Sequence, residues 1–214
     1  MLSISNLKIQ GSSKELNLNI LPGETAHFDS MKGRLSNDFF NTFIGVERPK
    51  SGDVLFDDVS LYNADFPNLA MNRRKIGCIF NRPIMLSNLT MRENMKLVLF
   101  LHNNKKTKQD FLELIEEFEL DDFLDKRPSE VNEDVLKTFS YIRLFIINPK
   151  FIFIENFSLP NNLEFKKNIA SRFKKLREGG SIFSFFGVLE YFPKEWVKYQ
   201  INLETCFYEV RNVG

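Results

Sequence analysis

Apolar and polar residues alternate over Leu2–Ile9, where Leu2, Ile4, Leu7 and Ile9 carry the apolar side and the alternation slips near Ser5-Asn6. The same period of two returns at Leu16–Ile20, ahead of a Pro22-Gly23 turn, and Thr25–Phe28 reads as a third short strand. The period then changes. Over Ser36–Ile44, Phe39, Phe40 and Phe43 fall on one helical face, with Ser36 or Asn37 as the N-cap. Pro49–Gly52 is a turn, and Asp53–Phe56 and Ile76–Phe80 read as short strands.

From Thr90 to about Asn148 the pattern is helical. Met91–Leu101 is one helix. Lys108–Phe118 is another, with Phe111, Leu112, Leu114, Ile115 and Phe118 on one face. Leu120–Leu124 is a short third and Glu133–Ile146 a fourth. Beyond Pro149 the apolar run Phe151–Ile154 predicts a strand of a buried parallel sheet. A helix over Asn162–Glu178 stops at Gly179-Gly180, and Ser181–Phe186 is a second apolar strand. Tyr199–Leu203 and Cys206–Val210 are closing strands. There is no internal repeat and no linker. This order predicts one α/β domain over residues 1–214, with a helical subdomain inserted at about residues 88–145.

Composition narrows the functional classes. At 214 residues, 43% of them hydrophobic, the chain has the means to build a core without a metal or disulfide staple. Lys and Arg number 29 against 28 Asp and Glu, so no global charge draws it to nucleic acid or an anionic membrane, and nucleic acid is not an expected partner. Cys78 and Cys206 fit no zinc or redox spacing and read as free thiols in a reducing compartment. The start MLSISNLKIQ lacks the features of a signal peptide, and no run of 18 apolar residues occurs, so a cytoplasmic protein is expected. The 23 Phe read as core residues standing in for Leu, not as a platform for stacked bases.

Three segments carry a resemblance. They are FIGVERPKSGDVLFDDVSL (Phe43–Leu61), RRKIGCIFNRPIMLSNLTMRENM (Arg73–Met95) and RPSEVNEDVLKTFSYIRLFIINPKFIFIEN (Arg127–Asn156). In this order and spacing they resemble the nucleotide-binding subunit of ABC transporters. The lipid-transport, lipoprotein-release and cell-division sub-groups are nearest to Arg73–Met95. The resemblance covers Met1 to about Val210. It implies an ABC-type P-loop NTPase fold with an N-terminal antiparallel β subdomain and an inserted helical subdomain. It also implies ATP and magnesium as cofactors, an ATPase activity, and a peripheral place under a membrane permease. A homodimer, or a heterodimer with another ABC ATPase, completes the family's assembly.

The residues at the family's chemical positions differ from its pattern. The phosphate loop G-x-x-G-x-G-K-[ST]-[ST] maps onto Ser30, Met31, Lys32, Gly33, Arg34, Leu35, Ser36, Asn37 and Asp38, of which only Gly33 matches. Such a loop needs glycines for close backbone approach, a lysine for phosphate and a hydroxyl for magnesium. Ser36 stands at the lysine position and Asn37 at the hydroxyl position. Asp38 suits a helix dipole but repels phosphate. The acidic motif after Phe151–Ile154 is Glu155 and Asn156 where the family has Asp and Glu, and a neutral amide cannot act as a base. The glutamine-loop position is Asn81. The signature L-S-G-G-[QE] falls on Val131, Asn132, Glu133, Asp134 and Val135, the two acids reading also as helix N-terminal residues. The switch histidine lands on Gly187 or Val188, and the dimer-contact Asp on Asn161 or Asn162. No aromatic stands near residues 9–13 to stack on adenine.

The fold-building positions are kept while the chemical ones are changed, so the expectation is a pseudo-ATPase with no catalytic residue and no required cofactor. The alternatives are an unorthodox ATPase using Lys32 and Glu155, or a permease-free scaffold. Glu155 reads either as a magnesium ligand or as a half-buried carboxylate bonded to loop amides, the second being the expectation. The family's permease-facing loop is Asn81–Asn94 here. Ile84, Met85, Leu86 and Leu89 are its candidate anchors, with Arg82 and Arg92 as a polar rim. His27 and His102 show no partner pattern, and Asn104–Lys108 reads as a solvated basic loop.

Overall fold

The computed structural model describes residues 1–10, 12–30, 33–101, 105–189 and 194–211. The chain opens with strands β1 (Leu2–Lys8), β2 (Leu16–Ile20) and β3 (Thr25–Asp29), then helix α1 (Gly33–Phe43). Strands β4 (Ser51–Phe56) and β5 (Val59–Ser60), helix α2 (Phe66–Arg73) and strand β6 (Ile76–Ile79) follow. Three helices come next: α3 (Met91–Leu101), α4 (Lys105–Glu117) and α5 (Glu133–Ile147). Strand β7 (Phe151–Phe157), helix α6 (Leu163–Glu178) and strands β8 (Ile182–Leu189), β9 (Tyr199–Asn202) and β10 (Phe207–Val210) complete it.

The strands form two sheets. One is antiparallel with order β2-β1-β4-β5. The other has order β10-β9-β3-β8-β7-β6 and is parallel from β9 to β6, with β10 antiparallel at its edge. This is the mixed α/β fold that the sequence pattern predicts, with the antiparallel N-terminal sheet that the resemblance implies.

The slip at Ser5-Asn6 is a β-bulge. Asn6 has φ +48°, the register of β1 moves between Ile4 and Leu7, and both residues stay buried. Without the extra residue the side chains beyond it would turn to the wrong face. Gly52 of β4 has φ +82°, and a Cβ there would overlap the Asn6 carbonyl, so the bulge needs that glycine.

The run Phe151–Ile154 is fully buried because β7 lies between two cores. Phe151 and Phe153 join α1 and the N-terminal strands, while Ile152 and Ile154 join α5 and α6. Strand β8 divides in the same way: Ile182 and Phe186 face the first core, Phe183 and Phe185 the second. In the first core Phe28 stacks on Phe186 at 4.7 Å, with Phe40 and Phe43 edge-on to Phe186 at 5.4 and 5.3 Å.

Several boundaries differ from the periodicity. Helix α1 begins at Gly33, so Ser36 and Asn37 lie inside it and neither is its cap. Helix α4 begins at Lys105, and Leu112 is 52% exposed while Phe111, Leu114, Ile115 and Phe118 are buried. The stretch Leu120–Leu124 holds a single 3-10 turn, Asp121–Phe123. Helix α2 and strand β5 were not expected: β5 is two residues long, and α2 buries only Asn72. Cys78 and Cys206 are both free. Among the described residues no helix is long and apolar enough to cross a membrane.

Candidate functional site

The end of β7 meets the start of α1 and the segment after β6. Glu155 is half-buried near the end of β7. The surroundings of the Asn37 amide, acceptors on one side, assign its nitrogen to the side of Glu155 and Gly33; so turned, it donates to Glu155 Oε1 at 3.3 Å and to the Gly33 carbonyl at 3.2 Å. The Asn81 backbone N–H donates to Glu155 Oε2 at 3.1 Å. Both carboxylate oxygens therefore accept from amides, one on α1 and one on the loop after β6.

The next residue, Asn156, has φ +47°, and the pairing of β7 with β8 shifts register between Glu155 and Phe157. Its side chain sits against Gly187, which has φ +79°. A Cβ on Gly187 would overlap Asn156 Oδ1, lie 3.1 Å from its Cγ, and lie 3.7 Å from Ser36 Oγ. The Gly187 carbonyl is 2.7 Å from His27 Nε2, so His27 is engaged inside the fold. The structure thus brings Ser36, Asn156 and Gly187 together; Val188, the other position considered for a histidine, has its side chain outside the described set.

A cavity of about 500 Å³ opens beside α1, lined by Gln10, Ser12, Ser13, Arg34, Leu35, Asp38, Leu203 and Glu204. It joins the phosphate-loop positions to the stretch near residue 10. Two carboxylates line it. The Arg34 side chain is 94% exposed, and its Nε is 4.0 Å from Asp38 Oδ2. Ser30 Oγ donates to Glu204 Oε1 at 2.8 Å. Met31 and Lys32, and His102 elsewhere in the chain, lie outside the described residues. A helix leaves only its first four N–H groups without an internal partner. With α1 running from Gly33, the amides from Asn37 onward are committed to the helix. A Cβ at Gly33 would meet nothing within 4 Å, so this glycine answers no crowding in the fold.

The signature positions are spent on helix starts and a local contact. Val131 packs against the helical-side core. Asn132 caps α5, its Oδ1 accepting from Val135 N–H at 2.9 Å. Glu133 pairs with Lys137 at 3.0 Å. Asp134 accepts from the Asn161 backbone N–H at 3.0 Å and from its side-chain amide at 3.3 Å. Asn162 caps α6, accepting from Glu164 and Phe165. Of the two candidates for the dimer contact, Asn161 meets the signature segment and Asn162 does not.

The loop after Asn81 is tied down by two residues that periodicity alone does not mark. Arg143 of α5 donates to the Ile84 carbonyl at 3.0 Å; its surroundings are buried, which lowers its pKa. The same burial pushes the neighbouring Cys78 thiol up to about 12. Asn94, 6% exposed on α3, accepts from Leu86 N–H at 2.8 Å and donates to the carbonyls of Leu86 (3.1 Å), Leu89 (3.3 Å) and Thr90 (3.0 Å). Ile84 and Leu86 are left 52% and 51% exposed, and Arg82 is exposed beside them. Met85 instead packs against the core and Leu89 is half-buried. Arg92 is held by Asp125 through two bonds of 2.8 and 3.2 Å rather than presented as a free rim.

Comparison with known proteins matches residues 38–153, more than half of the chain, to the family described as ABC transporter. The methionine import ATP-binding protein MetN of Legionella pneumophila (strain Paris) is 26% identical over 184 residues, covering 83% of this chain and 54% of that protein. The lipoprotein-releasing system ATP-binding protein LolD of Buchnera aphidicola is 25% identical over 143 residues, covering 65% of this chain and 62% of that protein. The chain thus spans little more than half the length of these relatives. Among solved structures, an ATP-binding subunit of an ABC transporter superposes with a TM-score of 0.85 at 16% identity, covering 98% of this chain and 90% of the other. A dimeric ATP-binding cassette bound to ADP and Pi superposes with a TM-score of 0.81 at 21% identity, with 98% of each chain covered. The structural likenesses establish the fold, and the match over residues 38–153 establishes the lineage: the chain belongs to the ABC transporter family, as an ATP-binding-cassette domain.

Proposed function

We propose that this chain is a pseudo-ATPase subunit of an ABC-type membrane complex. It docks on a permease at the inner face of the membrane and serves assembly or regulation rather than hydrolysis. The single observation carrying this reading is the bonding of Asn37 to Glu155. These residues stand where the family places its two magnesium-side groups, and here one donates a hydrogen bond to the other. Turned this way, Asn37 presents its amide nitrogen toward Glu155, where the family has a hydroxyl on magnesium, and that ion takes oxygen donors. Ser36 supplies no ammonium for phosphate, Asn156 cannot accept a proton, and Asp38 and Glu204 line the cavity with negative charge. The chemistry of these described residues supports a site that does not take a magnesium–nucleotide complex.

The permease-facing role is supported by the loop that carries Ile84 and Leu86. Arg143 and Asn94 hold its backbone while its two apolar side chains stay exposed. A rigid apolar pair with a polar neighbour, Arg82, is what an interface anchor needs. Dimerisation, with itself or with an active ABC ATPase, belongs to the same proposal.

Four measurements test it. Phosphate release from ATP should stay at the buffer rate, and calorimetry with magnesium and ATP should show no binding tighter than about millimolar, roughly −4 kcal/mol. Ile84→Asp and Leu86→Asp should melt like the parent and lose the capture of a membrane permease that the parent shows. Micromolar nucleotide binding, or full capture by both folded variants, overturns the reading.

A further inference from the structure

We infer that Glu155 is a latch that fixes the position of the loop after β6 without any bound ligand. One of its oxygens accepts from the Asn37 amide on α1 at 3.3 Å, the other from the Asn81 backbone N–H at 3.1 Å. The carboxylate is thereby a bridge from the start of α1, across the end of β7, to the first residue of the loop. Hydrogen bonds to an ionised acceptor are stronger than neutral ones, so the bridge is worth more than two ordinary loop contacts. Asn94 holds the middle of the same loop at Leu86 and its far end at Leu89 and Thr90, and Arg143 holds it at Ile84. Glu155, Asn94 and Arg143 tie the backbone of residues 81–90 to α1, α3 and α5, and Ile84 and Leu86 stay exposed on it. Glu155 is in this sense a positioning residue, acting on the apolar pair through Asn81. The inference rests on the docking role proposed above for that pair.

Amide hydrogen exchange on the isolated chain tests the latch separately from docking, because no partner is present. Replacing Glu155 by Ala removes both acceptors, and exchange over residues 81–90 is expected to quicken about tenfold while β7 and β8 keep the parent's rates. Replacing it by Gln keeps a carbonyl for Asn81 and an amide that Asn37 can meet by turning over, so exchange should return to within about threefold of the parent. Adding 1 mM magnesium and ATP to the parent should change the segment's exchange by less than twofold. If Glu155→Ala does not fold, Asn37→Ala, at an exposed site on α1, should quicken the same segment about threefold. Unchanged exchange in 81–90 in these variants, quickening spread evenly over the sheet, or strong protection by magnesium and ATP each overturns the latch. Failure of docking instead shows only in the capture assay with Ile84→Asp and Leu86→Asp.

Discussion

The side chain of Asn156 occupies the space that a Cβ on Gly187 would fill. Both residues have left-handed backbones, with φ +47° and +79°. Asn tolerates that region better than other side chains, and glycine enters it without cost. These are the positions where the family's pattern has a base and, in one of two placements, a switch histidine. The two residues found here fit each other, so neither can revert alone without disturbing its neighbour.

Gly187→His should therefore destabilise the fold by about 2–4 kcal/mol. Roughly 1–2 of that comes from the left-handed backbone and the rest from overlap with Asn156. Asn156→Gly made in the same chain should recover the overlap part, about 1–2 kcal/mol, as a coupling in a double-mutant cycle. Urea unfolding of the four chains gives the numbers. A Gly187→His change of under 0.5 kcal/mol, or full additivity, contradicts the contact.

The sheet and the helical stretch were legible because their periods are long and their residues bulky. Phe39, Phe40 and Phe43 mark the buried face of α1, and the unbroken run Phe151–Ile154 marks a strand with cores on both sides. Even the bulge shows as a slip at Ser5-Asn6. What was not legible depends on partners remote in sequence. Leu112 follows a helical face yet stays 52% exposed, and Met85 and Leu86 look alike until the fold turns one inward. That Glu155 bonds to amides is expected from its place at a strand end, but no spacing rule foretells that its partners are the Asn37 amide and the Asn81 N–H. The start of α1 at Gly33 also escaped, because Ser36 and Asn37 are good caps by type and nothing local says that they are not used.

Asn94→Ala should cost about 1–3 kcal/mol, since it strips the partner from Leu86 N–H and from nearby carbonyls. The loss is expected as a lower thermal midpoint together with faster proteolytic nicking between Asn81 and Thr90. A variant that melts lower but resists nicking like the parent would separate α3 packing from the loop and argue against Asn94 as its anchor.

Acid sensitivity should trace in part to Asp57. Burial alone would raise its pKa, but the ammonium groups of Lys150 and the N-terminus, each 2.7 Å away, bring it down to about 2. A depressed carboxylate stabilises the fold above its unfolded pKa, near 3.8, and that contribution is lost as pH falls toward 2. Solvent screening limits it to about 1 kcal/mol. The urea midpoint of Asp57→Asn should start lower than the parent's at pH 6 and converge on it by pH 2–3. Curves that stay parallel over this range would remove Asp57 from the account.

Restoring a carboxylate base should not restore hydrolysis. Asn156→Glu supplies a proton acceptor, but Ser36 still offers no ammonium and Asn37 still donates to Glu155. Each missing group is typically worth about 10²–10⁴ in rate, so one repaired out of three leaves turnover below detection. The new side chain must also adopt φ +47°, which Glu accepts less readily than Asn, and must find room against Gly187. A stability loss of about 1–2 kcal/mol is expected alongside phosphate release within twofold of buffer. The assay is run with and without Glu155→Gln in the same background. Turnover that appears with Asn156→Glu and disappears on adding Glu155→Gln would mean that Glu155 can still serve nucleotide chemistry, and both the pseudo-ATPase reading and the latch would fall together.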